Sequence, residues 1–379
     1  PAFAEPYRKG IEMAVEEIND AGGVLGRPLE FVFRDDQGEP GEAIRIAEEM
    51  MRREGTVMIT GSILSNVGLA ISSLAARREF VYLASEPLAD AVTWSQGNAW
   101  TFRLRPSTWM QAAMLAEAAA ETDAVTYATI APNYAYGKDA VAAFKEVLTE
   151  LKPEVEFVAE QWPALFGIDA GAEVQALERA KPDAIYNVTF GTDLAKFVRE
   201  GETRGLFEGR RVFGLLSGEP EYLEPLGAEA PEGWVVTGYP WYDFEDGPGA
   251  EFVSAYEARW DETPKNGSNV GYATAKSVAA AIEKAGSTES AAIREAEEMG
   301  IVAGPVELDL ELPGHGDVGA DCRHEQVAEK TDPVDAEDPG IEALQQVEVA
   351  GEVEHQAEEH QNCIGQHQRK VREGLYRVD

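Results

Sequence analysis

Four short segments carry the side chains able to hold or transform a small molecule, and each follows an apolar run. Gly61-Ser62-Ile63-Leu64-Ser65 puts two hydroxyls where a helix would open. The free backbone N–H groups of such a helix start, together with Ser65, can hold a carboxylate. Ser65 also reads as a plain N-cap, and the two roles are compatible. Ala84-Ser85-Glu86 offers a further hydroxyl and a carboxylate, while Asn133-Tyr134-Ala135-Tyr136-Gly137 and Phe190-Gly191 bring aromatic rings. Taken singly, each ring is better explained by packing. Together, polar groups at the floor and rings at the walls suit a small amphipathic molecule.

No catalytic set accompanies these segments. His315 is the first histidine, so the commonest general base is missing from the first three hundred residues. Ser217, between Leu216 and Gly218, lacks a nucleophile-elbow pattern, and neither a phosphate loop nor a dinucleotide fingerprint occurs. Asp35-Asp36 reads as a turn or helix cap. His355, His360, Cys363 and His367 are separated by five, three and four positions, which matches no compact zinc pattern. No catalytic residue, metal or cofactor is therefore expected. Asn187-Val188-Thr189 and Asn266-Gly267-Ser268 are formal glycosylation acceptors; the first falls in a predicted buried strand and is discounted.

The elements that must position these segments alternate regularly. Helices are predicted over 5–21, 41–53, 66–78, 138–151, 172–180 and 193–204, and helices dominate 249–299. Strands are predicted over 29–34, 56–60, 80–83, 124–130, 155–159, 184–188, 211–215 and 234–237. Strand–helix alternation at this spacing implies parallel sheets with crossover helices, an α/β fold. Ligands in such folds sit beyond the carboxyl ends of strands, where all four segments fall.

The chain has 379 residues with 32 Lys plus Arg against 69 Asp plus Glu, a net charge of −37. That length gives two domains or one large one. The acidity argues against nucleic acid and anionic lipid as partners, and no apolar run is long enough to insert in a membrane. It suits either a solubilising surface or a salt-rich habitat in which self-repulsion is screened; the second is preferred. Pro1-Ala2-Phe3-Ala4 starts without Met and reads as the edge of a fragment, so a missing leader says nothing about compartment. Cys322 and Cys363 do not make a disulfide framework.

Residue usage changes near position 305. All seven Trp lie at or before Trp260 and all fourteen Phe at or before Phe252, whereas all five His and both Cys follow residue 314. Residues 303–379 form an atypical acidic, aromatic-poor tail that is expected to be disordered, or to be translated from a shifted frame.

Gly10-Ile11-Glu12-Met13-Ala14-Val15-Glu16-Glu17-Ile18-Asn19-Asp20-Ala21-Gly22-Gly23 resembles the first helix of the branched-chain amino-acid-binding proteins, type I periplasmic solute receptors of ABC importers. Further matches keep the family's order: Asp35-Asp36, Gly61-Ser62 with Ser65, Ala84-Ser85, Phe102-Arg103, Tyr136-Gly137, Lys181-Pro182-Asp183-Ala184, Glu232-Gly233 and Tyr272-Ala273. The resemblance spans roughly residues 1–300.

What it implies is two Rossmann-like lobes with parallel sheets, joined by a multi-strand hinge and closing on a ligand. Lobe 1 would be 1–105 with 240–302 and lobe 2 106–239, with crossovers near Arg105-Pro106 and Tyr239-Pro240. The family's first strand would precede Pro1 and is absent from this chain. By the same resemblance Ser65 meets a ligand carboxylate, Ala84 gives a backbone contact and Glu86 a side-chain contact. Phe3 and Phe190 sit where the family often has Tyr, and Tyr136 lies in the matching loop of the second lobe. The acidic partner of an amino-acid ammonium falls near Leu216-Ser217, with Glu219 just beyond. The implied function is an extracytoplasmic, periplasmic receptor without enzymatic activity. It would pass a small amphipathic carboxylate, a branched-chain or related amino acid, to ABC permease subunits in the inner membrane. An aromatic acid or amide as ligand, or a ligand-sensing domain of the same fold, is the alternative.

Overall fold

The computed structural model describes residues 3–298 and the pair 376–377. Two sheets organise it. The first contains β1 (Ile59–Thr60), β2 (Tyr82–Ala84) and β3 (Thr101–Arg103), all parallel and in that order, so that Leu83 pairs with both Thr60 and Phe102. Around it lie α1 (Ala4–Asp20), α2 (Pro40–Arg53) and α3 (Ser65–Arg78). The chain then runs through α4 (Thr108–Ala120) into a second sheet. That sheet is built from β4 (Thr126–Ile130), β5 (Glu156–Gln161), β6 (Ala184–Asn187), β7 (Arg211–Gly218) and β8 (Val235–Gly238), in the parallel order β5-β4-β6-β7-β8. The helices α5 (Ala135–Leu151), α6 (Ala170–Ala180), α7 (Gly191–Arg204) and α8 (Pro220–Leu226) alternate with these strands. Next come α9 (Gly247–Trp260), α10 (Asn266–Ala285) and α11 (Ser290–Glu298). The pair β9 (Tyr376–Arg377) runs antiparallel to β8. Parallel strands separated by helices agree with the α/β expectation.

The second sheet is held by aromatic packing. Phe144 of α5 stacks on Tyr186 of β6 with centroids 3.9 Å apart, and Tyr127 and Phe213 pack beside them. Near the first sheet the close fit is between α1 and α10. A Cβ on Gly10 would overlap the Ser268 carbonyl, and one on Gly271 would overlap the Tyr7 carbonyl. The two backbones touch because neither crossing point has a side chain. This contact fixes Tyr7, whose hydroxyl then reaches the end of β2.

Residues 29–34 form no strand and belong to no described ladder. Leu29, Phe31 and Phe33 turn toward the core while Glu30, Val32 and Arg34 face water, so the alternation reports the buried side. It does not supply the neighbouring strand that a ladder needs. The helix α4 was not expected: TWMQAAMLAEAAA is apolar on most sides, and Ala112, Ala113, Leu115, Ala116 and Ala119 are all buried. Such a helix shows no amphipathic stripe to detect. Asp35 and Asp36 make the turns foreseen for them, accepting from Gln37 and Gly38 N–H at 2.9 and 2.8 Å. The four residues weighed as zinc ligands, both cysteines and, apart from Tyr376–Arg377, the acidic tail lie outside the described residues.

Candidate functional site

The carboxyl ends of the two sheets meet at Arg105. Arg105 follows β3, and its guanidinium donates to Glu86 Oε2 at 2.9 Å and to Glu219 Oε1 at 2.6 Å. Glu86 stands just beyond β2 and Glu219 just beyond β7, so one side chain ties the rims of both sheets. All three are buried, with side-chain exposures of 9, 2 and 1% for Arg105, Glu86 and Glu219. Asn266, at the start of α10, donates to Glu219 Oε1 at 2.7 Å. The next carboxylate, Glu221, accepts backbone N–H groups from Gly267 at 2.6 Å and Asn266 at 3.2 Å. The Phe3 ring lies 5.6 Å from the Arg105 guanidinium, within cation–π range.

The backbone at the second rim is bent to make this meeting. β7 changes register between Gly214 and Gly218, and Leu216 within that stretch has φ +62°. A left-handed leucine costs on the order of 1–3 kcal/mol. It is held there by a hydrogen bond from its N–H to Thr237 Oγ1 at 2.9 Å. The irregularity turns the end of the strand, so that Ser217 faces inward to accept from Asn187 Nδ2 at 3.2 Å and Glu219 reaches Arg105.

Burial dominates the electrostatics. It pushes the Glu86 carboxyl up to about 8; Arg105 pulls it down, while Glu219 and Glu221 push it further up. Burial, and then Glu219, raise Glu221 to about 7 against the backbone N–H bonds it accepts. Burial also works against the Arg105 charge, but Glu219 and Glu86 outweigh it and hold its pKa above the ordinary value. Two carboxylate oxygens, Glu86 Oε1 and Glu219 Oε2, are buried with no hydrogen-bond partner, as is the Tyr136 hydroxyl. Unmet acceptors of this kind are costly and rare in folded proteins.

Aromatic rings stand beside this acidic cluster. Tyr136 opens α5 and packs edge-on against Phe190 at 5.7 Å; Tyr134 lies 5.9 Å from Tyr136. Phe166 and Tyr222 contact Phe190 at 5.6 and 6.5 Å. Burial raises the Tyr136 hydroxyl well above its ordinary value, with Glu219 among the charges adding to the shift.

The hydroxyls of the first rim are engaged differently. Ser85 is fully buried and bonds to the Tyr7 hydroxyl at 2.8 Å and to Thr60 at 3.4 Å. Ser65 opens α3, and its Oγ accepts from the Ala89 N–H at 3.1 Å, which leaves its own hydrogen to donate. Ser62, at φ +56°, bonds the Tyr82 hydroxyl at 2.7 Å. Ala84 is buried, and its carbonyl accepts from Leu104 N–H.

Thus Phe3, Glu86 and Glu219 converge on Arg105, and Tyr134, Tyr136 and Phe190 form one wall. Ser62, Ser65, Ala84 and Ser85 line the first rim, and Ser217 the second. The sequence pattern marks Arg105 only as a crossover position and Asn266 only as a formal glycosylation acceptor, and it does not single out Glu221, Tyr7 or Tyr222. A lone Arg before Pro106, with Glu219 and Glu221 two apart, was the available signal. Neither formal glycosylation asparagine is free: Asn187 is fully buried and Asn266 is bonded to Glu219.

Residues 1–326 match the family model for periplasmic binding protein. The chain belongs to that family. Its members are extracytoplasmic substrate receptors rather than enzymes, acting on small molecules with ABC permeases as partners. The receptor is 24% identical over 300 residues to the leucine-, isoleucine-, valine-, threonine-, and alanine-binding protein of Pseudomonas aeruginosa, covering 78% of this chain and 77% of that one. Among solved structures it resembles a leucine binding protein LivK from Thermotoga maritima, with TM-score 0.68 and 26% identity over 78% of this chain and 82% of that one. It also resembles a solute binding protein of an ABC transporter from Rhodopseudomonas palustris in complex with 3,4-dihydroxybenzoic acid, with TM-score 0.69 and 23% identity over 77 and 79%. Among the described residues no helix is long and apolar enough to cross a membrane.

Proposed function

We propose that this receptor captures a branched-chain or related amino acid between two lobes, residues 1–105 with 240–302 and residues 106–239, and presents it to an inner-membrane ABC permease. Ligand contacts that reach both lobes exist only when the lobes are together, so binding favours the closed form. The observation that carries this reading is the Glu86–Arg105–Glu219 bridge, which joins the carboxyl ends of both sheets beside an aromatic wall. In this reading Ser65 and Ser85 hold the solute carboxylate, and the buried, unpartnered Glu219 Oε2 receives its ammonium. Phe3, Tyr136 and Phe190 cover its apolar side chain.

A second reading, an aromatic acid, is favoured by the fold shared with the dihydroxybenzoate complex and by the rings of the second rim. A thermal-shift screen of leucine, isoleucine, valine and benzoate against the full chain, followed by calorimetry, separates the two. Stabilisation by the aliphatic amino acids supports the first reading. Stabilisation by benzoate alone supports the second, and stabilisation by none of them removes both.

A further inference from the structure

The cluster at the seam contains more carboxyl groups than its cation can balance. Glu86, Glu219 and Glu221 are buried together, and Arg105 is the guanidinium bonded to the first two. The three acids are not held equally. Glu219 Oε1 accepts from both Arg105 and Asn266, and Glu221 accepts two backbone N–H groups. Glu86 accepts one hydrogen bond, from Arg105 to Oε2. Hydrogen bonds to a carboxylate favour its charged form, so the acid with the fewest is the one to keep a proton. With Oε2 occupied by Arg105, that proton resides on Oε1, which is buried and has no acceptor within the protein.

We propose that Glu86 is a neutral carboxylic acid in the resting receptor and that its Oε1–H donates to an acceptor oxygen of the bound solute, making Glu86 and Arg105 a proton-dependent subsite. This rests on the reading that the solute is held at this seam. A second buried group points to the same occupant: the Tyr136 hydroxyl, 2% exposed and unpartnered, lies within the field of Glu219. A solute oxygen relieves the unmet Glu86 donor, and polar atoms on the same solute relieve Tyr136 and Glu219 Oε2. The charged and titratable groups facing Glu86 are Arg105 beyond β3, Glu219 beyond β7, Glu221 and Tyr222 on α8, and Tyr7 on α1. Arg105 opposes protonation and the two glutamates favour it, while burial of the carboxyl favours it most. Raising the pH sends the proton to bulk water and leaves a carboxylate facing the solute oxygen.

Two measurements on the full chain test this. Infrared difference spectra of the solute-free receptor are expected to show a protonated carboxylic-acid band at pH 7 that titrates away near pH 8 and is missing from Glu86→Gln. No such band, or a component titrating near pH 8 that survives in Glu86→Gln, overturns the proposal, whatever the solute; Glu221, at about 7, gives a separate component that titrates below it. Calorimetry with leucine and with benzoate is expected to show affinity falling about tenfold between pH 7 and pH 9, one unit above the Glu86 value. Glu86→Gln, which keeps an N–H donor there, is expected to lose that slope. Affinity that rises with pH overturns the proposal and makes Glu86 an anion for a cationic solute group. If neither probe binds while the infrared band is present, it is the solute reading that fails.

Discussion

The two rims that meet at Arg105 solve different problems. On the rim of the first sheet, Ser62, Ser65 and Ser85 all have partners within the protein: Tyr82, the Ala89 N–H, and Tyr7 with Thr60. On the rim of the second, Tyr136 and one oxygen of Glu219 have none, and the strand that leads to Glu219 carries a left-handed leucine. The first rim is built to keep its shape. The second stores unmet hydrogen bonds, which a bound molecule can relieve. Glu86 is the exception, a residue of the first rim with the unmet oxygen typical of the second.

The sharpest way to break this contrast is to remove the cation both rims share. Arg105→Ala takes the buried guanidinium from Glu86 and Glu219 and leaves the Glu219 charge without its cation, and a loss of about 3–5 kcal/mol in denaturant unfolding is expected. A loss below about 1 kcal/mol would mean the bridge does not hold the seam. Phe190→Ala tests the aromatic wall. It should weaken leucine binding by about 2 kcal/mol, the scale of one large apolar contact, with little change in unfolding. Ser65→Ala should weaken binding by about 1–3 kcal/mol if its hydroxyl meets the solute carboxylate. Unchanged affinity with lowered stability would confine Ser65 to its bond with Ala89.

The pH dependence sharpens the contrast further. Glu86 and Glu221 sit at about 8 and about 7 in the folded chain, above ordinary carboxylates. The folded state therefore holds more protons than the unfolded one between roughly pH 4.5 and 8, and stability from these groups falls as pH rises through that window. A melting temperature lower at pH 8 than at pH 5 is expected, with a shallower slope in Glu86→Gln. The smallest effect is expected at the surface: Arg45→Ala, which breaks exposed pairs with Glu42 and Glu49, should leave the melting temperature unchanged.

The residue pattern reveals most of the second sheet where a short apolar strand is followed by a striped helix, as in 124–151 and 184–204. It reveals less where periodicity is weak. The apolar helix 108–120 has no polar face, and Pro220–Leu226 carries two prolines that read as a turn. The site divides in the same way. Loops after strands pointed to Ser65, Ser85, Glu86, Tyr136 and Phe190 one at a time. Arg105 gains its meaning only from Glu86 and Glu219, and the latter is 114 positions away. Such pairing is decided by how the two sheets face each other, which local pattern does not encode.

A calorimetric titration of the full chain with leucine, run beside Glu219→Gln, tests the solute reading at its centre. One leucine bound per chain, with affinity reduced about a hundredfold in the variant by loss of a buried charged partner, is the expected result. Equal affinity in the two proteins, or no heat of binding in the native chain, would contradict it.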